Sequence, residues 1–168
     1  MPLPKEILIK RIKNEIAECR KKTAHHFVLS DENLNKLPIE INVTLVNTPG
    51  PVLSDGKILT KYNHKLKIII TPDYPYQTPI VRWKSEIFHP NIMPPEEGGY
   101  VCTKLLDNWS IKSNLLAFIK GIETLLSYPN PKNPFESDTC TRAAEYFNKN
   151  PFVPQQIRSR PRIIDEDG

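Results

Sequence analysis

The chain has 168 residues, enough for one compact domain that buries about two thirds of its unfolded surface. Its formal net charge is +4, and the whole excess sits in the first 22 residues, where seven Lys or Arg face three Glu; no basic stripe with interleaved aromatics follows, which excludes general nucleic-acid binding. Three cysteines, Cys19, Cys102 and Cys140, stand at wide, odd spacing, which excludes a disulfide framework and a metal-ligand cluster and predicts free thiols in a reducing, cytoplasmic compartment.

Residues 4–22 read as an amphipathic helix. Leu8, Ile9, Ile12, Ile16 and Cys19 fall on one stripe, and Lys10, Lys13 and Lys21 on the opposite face. That placement predicts Cys19 as a buried small hydrophobe. The basic face suits an acidic partner, or is simply solvated. Charges interrupt the first 13 residues every few positions, so no signal peptide is expected, and no apolar run approaches the roughly 20 residues of a membrane span.

From residue 26 the period changes. Ile39, Ile41, Val43 and Leu45 alternate with Glu40, Asn42, Thr44 and Val46, which predicts a strand. Asn47 to Gly56 reads as a turn region, Leu66 to Ile70 as a second strand, and Ile80 to Lys84 as a third. Short links favour an antiparallel meander. A strongly apolar helix is predicted over Leu115–Ser127, with Ser113 or Asn114 as its cap. Pro129, Pro131 and Pro134 end it, and a further helix follows over 137–149. Beyond residue 150 a proline-containing extension is expected to hold a short helix and a loose end. The order is that of an α+β domain over residues 1–150 with an extension over 151–168.

The stretch from Tyr74 to Pro134 has little periodicity and many special residues. Seventeen prolines in all, about twice the usual share, imply stiff, ordered loops. His89-Pro90-Asn91 lies eleven residues before Cys102. A thiol attacks acyl groups as thiolate and leaves as thiolate, so Cys102 is a candidate acyl carrier. Taken alone, a single cysteine is more often inert and buried. A cysteine hydrolase with His89 as base is a remote alternative, because no local hydrolase signature accompanies it.

Five segments occur in a characteristic order: Tyr74-Pro75-Tyr76-Gln77-Thr78-Pro79, Phe88-His89-Pro90-Asn91-Ile92, Val101-Cys102, Trp109-Ser110 and Tyr128-Pro129-Asn130-Pro131. Together they resemble the ubiquitin-conjugating enzymes over roughly residues 5–150. The resemblance implies an N-terminal helix, a four-stranded antiparallel meander, a central core helix and C-terminal helices. It implies a transferase that accepts ubiquitin or a ubiquitin-like modifier as a thioester on Cys102 and passes it to a substrate lysine. A non-catalytic modifier-binding variant of the same fold is the alternative.

The family's motif asparagine matches Asn91, which would stabilise the oxyanion or hold the loop that does. His89, Pro90, Asn130 and Asn133 would shape the active-site loops. Lys10, Arg11 and Lys13 would meet the activating enzyme, and Tyr76, Ser110 and Ile111 a RING-type ligase. The implied partners are modifier, activating enzyme, ligase and protein substrate, with no nucleic acid and no membrane, for a monomer. No metal and no cofactor are implied, since ATP is used by the activating enzyme.

Four departures from the pattern stand out. Pro94, Pro95, Glu96, Glu97, Gly98 and Gly99 lie in a stretch lengthened by about three residues, an acidic insertion that a surface loop tolerates. Thr103-Lys104 replaces the usual Leu-Asp. Ser110-Ile111-Lys112 replaces Ser-Pro-Ala. The usual acidic position after the Pro-Asn-Pro turn is Asn133, which cannot take a proton, leaving Glu136 or Asp138 as substitutes.

Overall fold

The computed structural model describes residues 3–29, 33–103 and 109–154. The expected helix and loose end beyond residue 154, and Lys104, lie outside them. Helix α1 (Lys5–Lys22) follows Pro4, carries Glu6 in its first turn and Arg20, Lys21 and Lys22 in its last. This charge order complements the helix dipole. Its buried stripe is Leu8, Ile12, Ile16 and Cys19, together with Glu15. The half-buried Ile9 packs at the margin of the core.

The main sheet has the order β1 (His26–Val28), β2 (Ile39–Leu45), β5 (His64–Ile70), β6 (Ile80–Trp83), all antiparallel. Alternation decides the register. Val43 sits opposite Leu66, and Leu66 opposite Trp83; Ile41 faces Ile68, and Ile68 faces Val81. A slip of one residue would turn this whole buried set outward. Val43, Leu66, Trp83, Ile41, Ile68 and Val81 share one core with Leu8, Ile12 and Ile16 of α1 and with the apolar face of α2 (Leu115–Ser127).

The region read as a turn over 47–56 contains a strand. β3 (Gly50–Ser54) pairs with β4 (Lys57–Lys61) in a separate two-stranded sheet. Asp55 and Gly56 form the link, with φ of 48° and 73°, the left-handed pair of a type I′ two-residue hairpin. Gly50 and Pro51 masked this strand in the sequence. Pro51 is tolerated because the ribbon has only two strands. Gly50 is required by close approach: a Cβ there would lie 2.5 Å from Leu126 Cδ1. The fourth strand of the meander is the short edge β1, and the β3–β4 hairpin is an excursion between β2 and β5.

Asn114 caps α2, its Oδ1 accepting the Ala117 N–H at 2.8 Å. A second free N–H at that end, on Leu115, donates to Glu15 Oε1 of α1 at 2.8 Å. This carboxylate also accepts the Tyr74 hydroxyl and pairs with Arg11 at 2.6 Å. Helix α3 (Asp138–Lys149) is capped by Ser137 and buries Cys140, Ala143, Ala144 and Phe147. Phe88, Ala143 and Phe147 form a second apolar cluster, with Leu53, Ile58 and Phe152 against it.

Candidate active site

Of the three thiols, only Cys102 has solvent access; Cys19 and Cys140 are buried. Burial, reinforced by the Glu18 and Glu15 charges, pushes the Cys19 thiol up to about 12. Burial likewise pushes Cys140 up to about 11. Both stay protonated and unreactive at neutral pH. Cys102 is half-buried at the end of a short extended run in which Val101 bridges Ile92 and Tyr100 bridges Arg82. Its own N–H donates to the Asn91 carbonyl at 3.0 Å. The thiol is thereby fixed beside the His89-Pro90-Asn91 segment by main-chain bonding.

His89 is fully buried. Its Nε2 bonds to the Leu125 carbonyl at 2.8 Å, and its Nδ1 receives the Asn91 N–H at 3.0 Å. One nitrogen must donate and the other accept, so the ring is the neutral Nε2–H tautomer. Burial outweighs the carbonyl contacts and lowers its pKa to about 3. Neither nitrogen is free to take a proton from a thiol, which removes the cysteine-hydrolase alternative based on His89.

Asn91 is also fully buried. Its Oδ1 accepts the Asn130 N–H at 2.8 Å, and its Nδ2 donates to the carbonyls of Asn130 and Asn133, each at 3.0 Å. These three bonds fix the orientation of the amide. Both Nδ2 hydrogens are committed, so in this arrangement Asn91 has none to offer an oxyanion. Of the two roles expected of it, the geometry matches the one of holding the loop. The Pro90 carbonyl accepts the Phe135 N–H at 3.0 Å, and Asn130 Oδ1 accepts the Lys132 N–H at 3.1 Å. Residues 130–135 thus lie along the segment that carries Asn91, with the Asn133 side chain exposed.

The expected ligase-facing residues come together. Trp109 Nε1 donates to the Pro75 carbonyl at 2.7 Å, joining the two loops. Tyr76 is 47% and Ile111 53% exposed on these loops; Ser110 is exposed as well. Lys10 and Lys13 are exposed on α1. Arg11 departs from the expectation. Its guanidinium bonds Glu15, the Ser113 carbonyl at 2.9 Å and the Ile111 carbonyl at 3.3 Å, and lies 5.6 Å from the Tyr74 ring centroid. It is committed within the chain and is not a free cation of the basic face.

The bonding of two residues escaped the sequence reading, which noted Glu97 only as part of the acidic insertion. Glu15 had a visible signal, an acid on the apolar stripe beside Ile16. Glu97 had none, since its partner Thr139 is 42 residues away.

The family model described as ubiquitin-conjugating enzyme matches residues 11–153. The protein of Acanthamoeba polyphaga mimivirus named "Probable ubiquitin-conjugating enzyme E2 L460" is 31% identical over 159 residues, 89% of each chain. Ubiquitin conjugating enzyme E2 B of Dictyostelium discoideum is 30% identical over 77% of this chain and 80% of its own length. The E2 domain of a Toxoplasma gondii ubiquitin conjugating enzyme superposes with a TM-score of 0.61 at 22% identity, covering 84% of this chain and 87% of that one, and so shares the fold. With the ordered motifs, the α+β architecture and the matched span, the chain belongs to the ubiquitin-conjugating enzyme family.

Proposed function

We propose that this chain carries ubiquitin or a ubiquitin-like modifier as a thioester on Cys102 and transfers it to a substrate lysine, with a RING-type ligase as partner. The observation that supports this most is that Cys102 is the accessible thiol of the three and is anchored to Asn91. In the first step the Cys102 thiolate attacks the modifier's C-terminal carbonyl on the activating enzyme. The activating enzyme's thiolate leaves, and one thioester replaces another at little net energy. In the second step a neutral lysine amine attacks that carbonyl. The tetrahedral oxyanion collapses, the amide forms and the Cys102 thiolate departs.

The lysine has an ordinary pKa near ~10.4 and must shed a proton. Asn133 can orient an amine but cannot take that proton, which goes to solvent or to a carboxylate. Glu136 and Asp138 are exposed on the same segment. The exposed Tyr76 and Ile111 support ligase docking, and the exposed Lys10 and Lys13 support contact with the activating enzyme.

The test mixes the protein with candidate modifiers, their activating enzyme and ATP. A reductant-sensitive adduct is expected. Cys102→Ala should abolish it, Cys19→Ala and Cys140→Ala should retain it, and Cys102→Ser should give an ester that resists thiols. A labile adduct surviving in Cys102→Ala would contradict the proposal.

A further inference from the structure

The segment between Asn91 and Cys102 is a closed loop. The Met93 N–H donates to the Tyr100 carbonyl at 2.8 Å, and the Gly99 N–H to the Pro94 carbonyl at 3.1 Å. Between them Pro95–Glu97 makes a single 3-10 turn. The loop closes through Gly98 and Gly99, at φ of 115° and 68°. Gly99 is also pressed on β6: a Cβ there would stand 2.7 Å from the Trp83 carbonyl oxygen, and its own carbonyl accepts the Trp83 N–H at 2.7 Å.

From this stiff loop one side chain reaches across to α3. The Glu97 carboxylate accepts the Thr139 N–H at 3.2 Å with one oxygen and the Thr139 hydroxyl with the other. Burial pushes the Glu97 carboxyl up, but hydrogen bonds from Thr139 and Ser137 and the nearby Arg142 charge outweigh it and hold the group below its usual range. The bond therefore stands fully charged at neutral pH.

The connection from α2 to α3 is consequently gripped at two places by the segment that ends in the thiol. Asn91 holds it at Asn130 and Asn133. Glu97 holds it at Thr139, the second residue of α3. Phe135 between them adds a bond to Pro90, and Cys140, just past Thr139, one to Ile92. The portion from Pro134 to Asp138, which includes Glu136, runs between the two grips, and Asn133 stands at the edge of the first.

We propose that Glu97 is a positioning residue for aminolysis: through Thr139 it sets where the 130–138 connection lies relative to Cys102, and so governs transfer to lysine rather than loading. The proposal rests on the thioester reading above. The Glu97-bearing insertion is then a part of the catalytic scaffold, not a surface tolerance. Reacting groups displaced by as little as about an ångström lose rate steeply, whereas exchange of the thioester onto Cys102 does not involve the connection.

The experiment measures, for each variant, the rate of loading from activating enzyme and the rate of discharge of purified loaded protein to free lysine. Glu97→Ala, which removes both bonds, should slow discharge about tenfold, and Thr139→Val, which removes only the hydroxyl bond, should slow it in the same direction by less, both with loading unchanged. The double variant should be no slower than Glu97→Ala alone, since Glu97→Ala already removes both bonds to Thr139. Thr139→Ser keeps the hydroxyl and should retain the wild-type rate. The loss should fall on the maximal discharge rate and leave the lysine concentration at half-maximum in place. Amide exchange over residues 130–138 should rise in Glu97→Ala while that of β5 stays fixed, which also shows that the variant is folded. Equal discharge by wild type, Glu97→Ala and Thr139→Val would overturn the proposal and leave the thioester reading standing. A parallel fall in loading and discharge would overturn it in favour of general stability. Failure of the wild type to load any modifier would overturn both.

Discussion

At the scale of single residues, chemistry and scaffolding are divided. Cys102 keeps an accessible thiol, while the two polar residues of the His89-Pro90-Asn91 motif are fully buried and fully bonded. Asn91→Ala would leave the Asn133 carbonyl and the Asn130 N–H without their partner, and the Asn130 carbonyl with only the Asn133 N–H at 3.4 Å. Unpaired groups of this kind cost about 1–3 kcal/mol each when buried; these are part-exposed, so a total loss of about 2–4 kcal/mol in urea unfolding is expected. Asn91→Asp should be at least as harmful, because a carboxylate would confront two carbonyls with no hydrogen to give. If Asn91→Ala is as stable as wild type, the clamp described here is not what that residue does.

His89 makes the stability depend on pH. The unfolded chain takes up a proton near pH 6.5 that the folded chain refuses until about pH 3. Stability present above pH 6.5 is therefore lost progressively as the pH falls between those values. His64, also lowered chiefly by burial, acts in the same sense. The urea midpoint should fall on acidification from pH 7.5 to 5. His89→Gln should be less stable at pH 7.5 but decline less steeply. An unchanged slope in that variant would show that His89 titrates normally in the folded state.

At the scale of elements, α1 serves two masters on two faces. Its inner face holds Arg11 and Glu15, which tie the helix to the Ile111–Leu115 segment and to Tyr74. Its outer face leaves Lys10 and Lys13 exposed. Lys10→Glu with Lys13→Glu should slow loading about tenfold, through the association rate and less at high salt, while leaving discharge of preloaded protein unchanged. Arg11→Ala should differ in kind, lowering the melting temperature and disturbing the 111–113 carbonyls. Equal loading by the Lys10→Glu, Lys13→Glu variant over a range of activating-enzyme concentrations would mean that the face is only solvated.

At the scale of the whole molecule, what could be read from the sequence was whatever is local or periodic. The stripe Leu8, Ile12, Ile16, Cys19 gave α1, the alternation from Ile39 to Leu45 gave β2, and the cap pairs Asn114–Ala117 and Ser137–Cys140 set the starts of α2 and α3. The β3 strand was hidden because Gly50 and Pro51 are breakers in isolation; contact with Leu126 and a two-stranded ribbon make them acceptable. The candidate site was legible only as an ordered set of motifs. Its bonding was not legible. Asn91 meets Asn130 and Asn133 across about forty residues, Glu97 meets Thr139 across a similar gap, and Arg11 meets Ser113 across about a hundred. No periodicity announces such pairs, because each is decided by how sheet and helices pack.

The central claim is that the accessible thiol carries the modifier. Its most direct test is peptide mapping by mass spectrometry of the protein loaded with ubiquitin, activating enzyme and ATP, digested without reductant. The account predicts the modifier's C-terminal remnant on the peptide containing Cys102, lost on thiol treatment, with Cys19 and Cys140 recovered as free thiols. A thiol-labile remnant on Cys19 or Cys140, with Cys102 free, would contradict it.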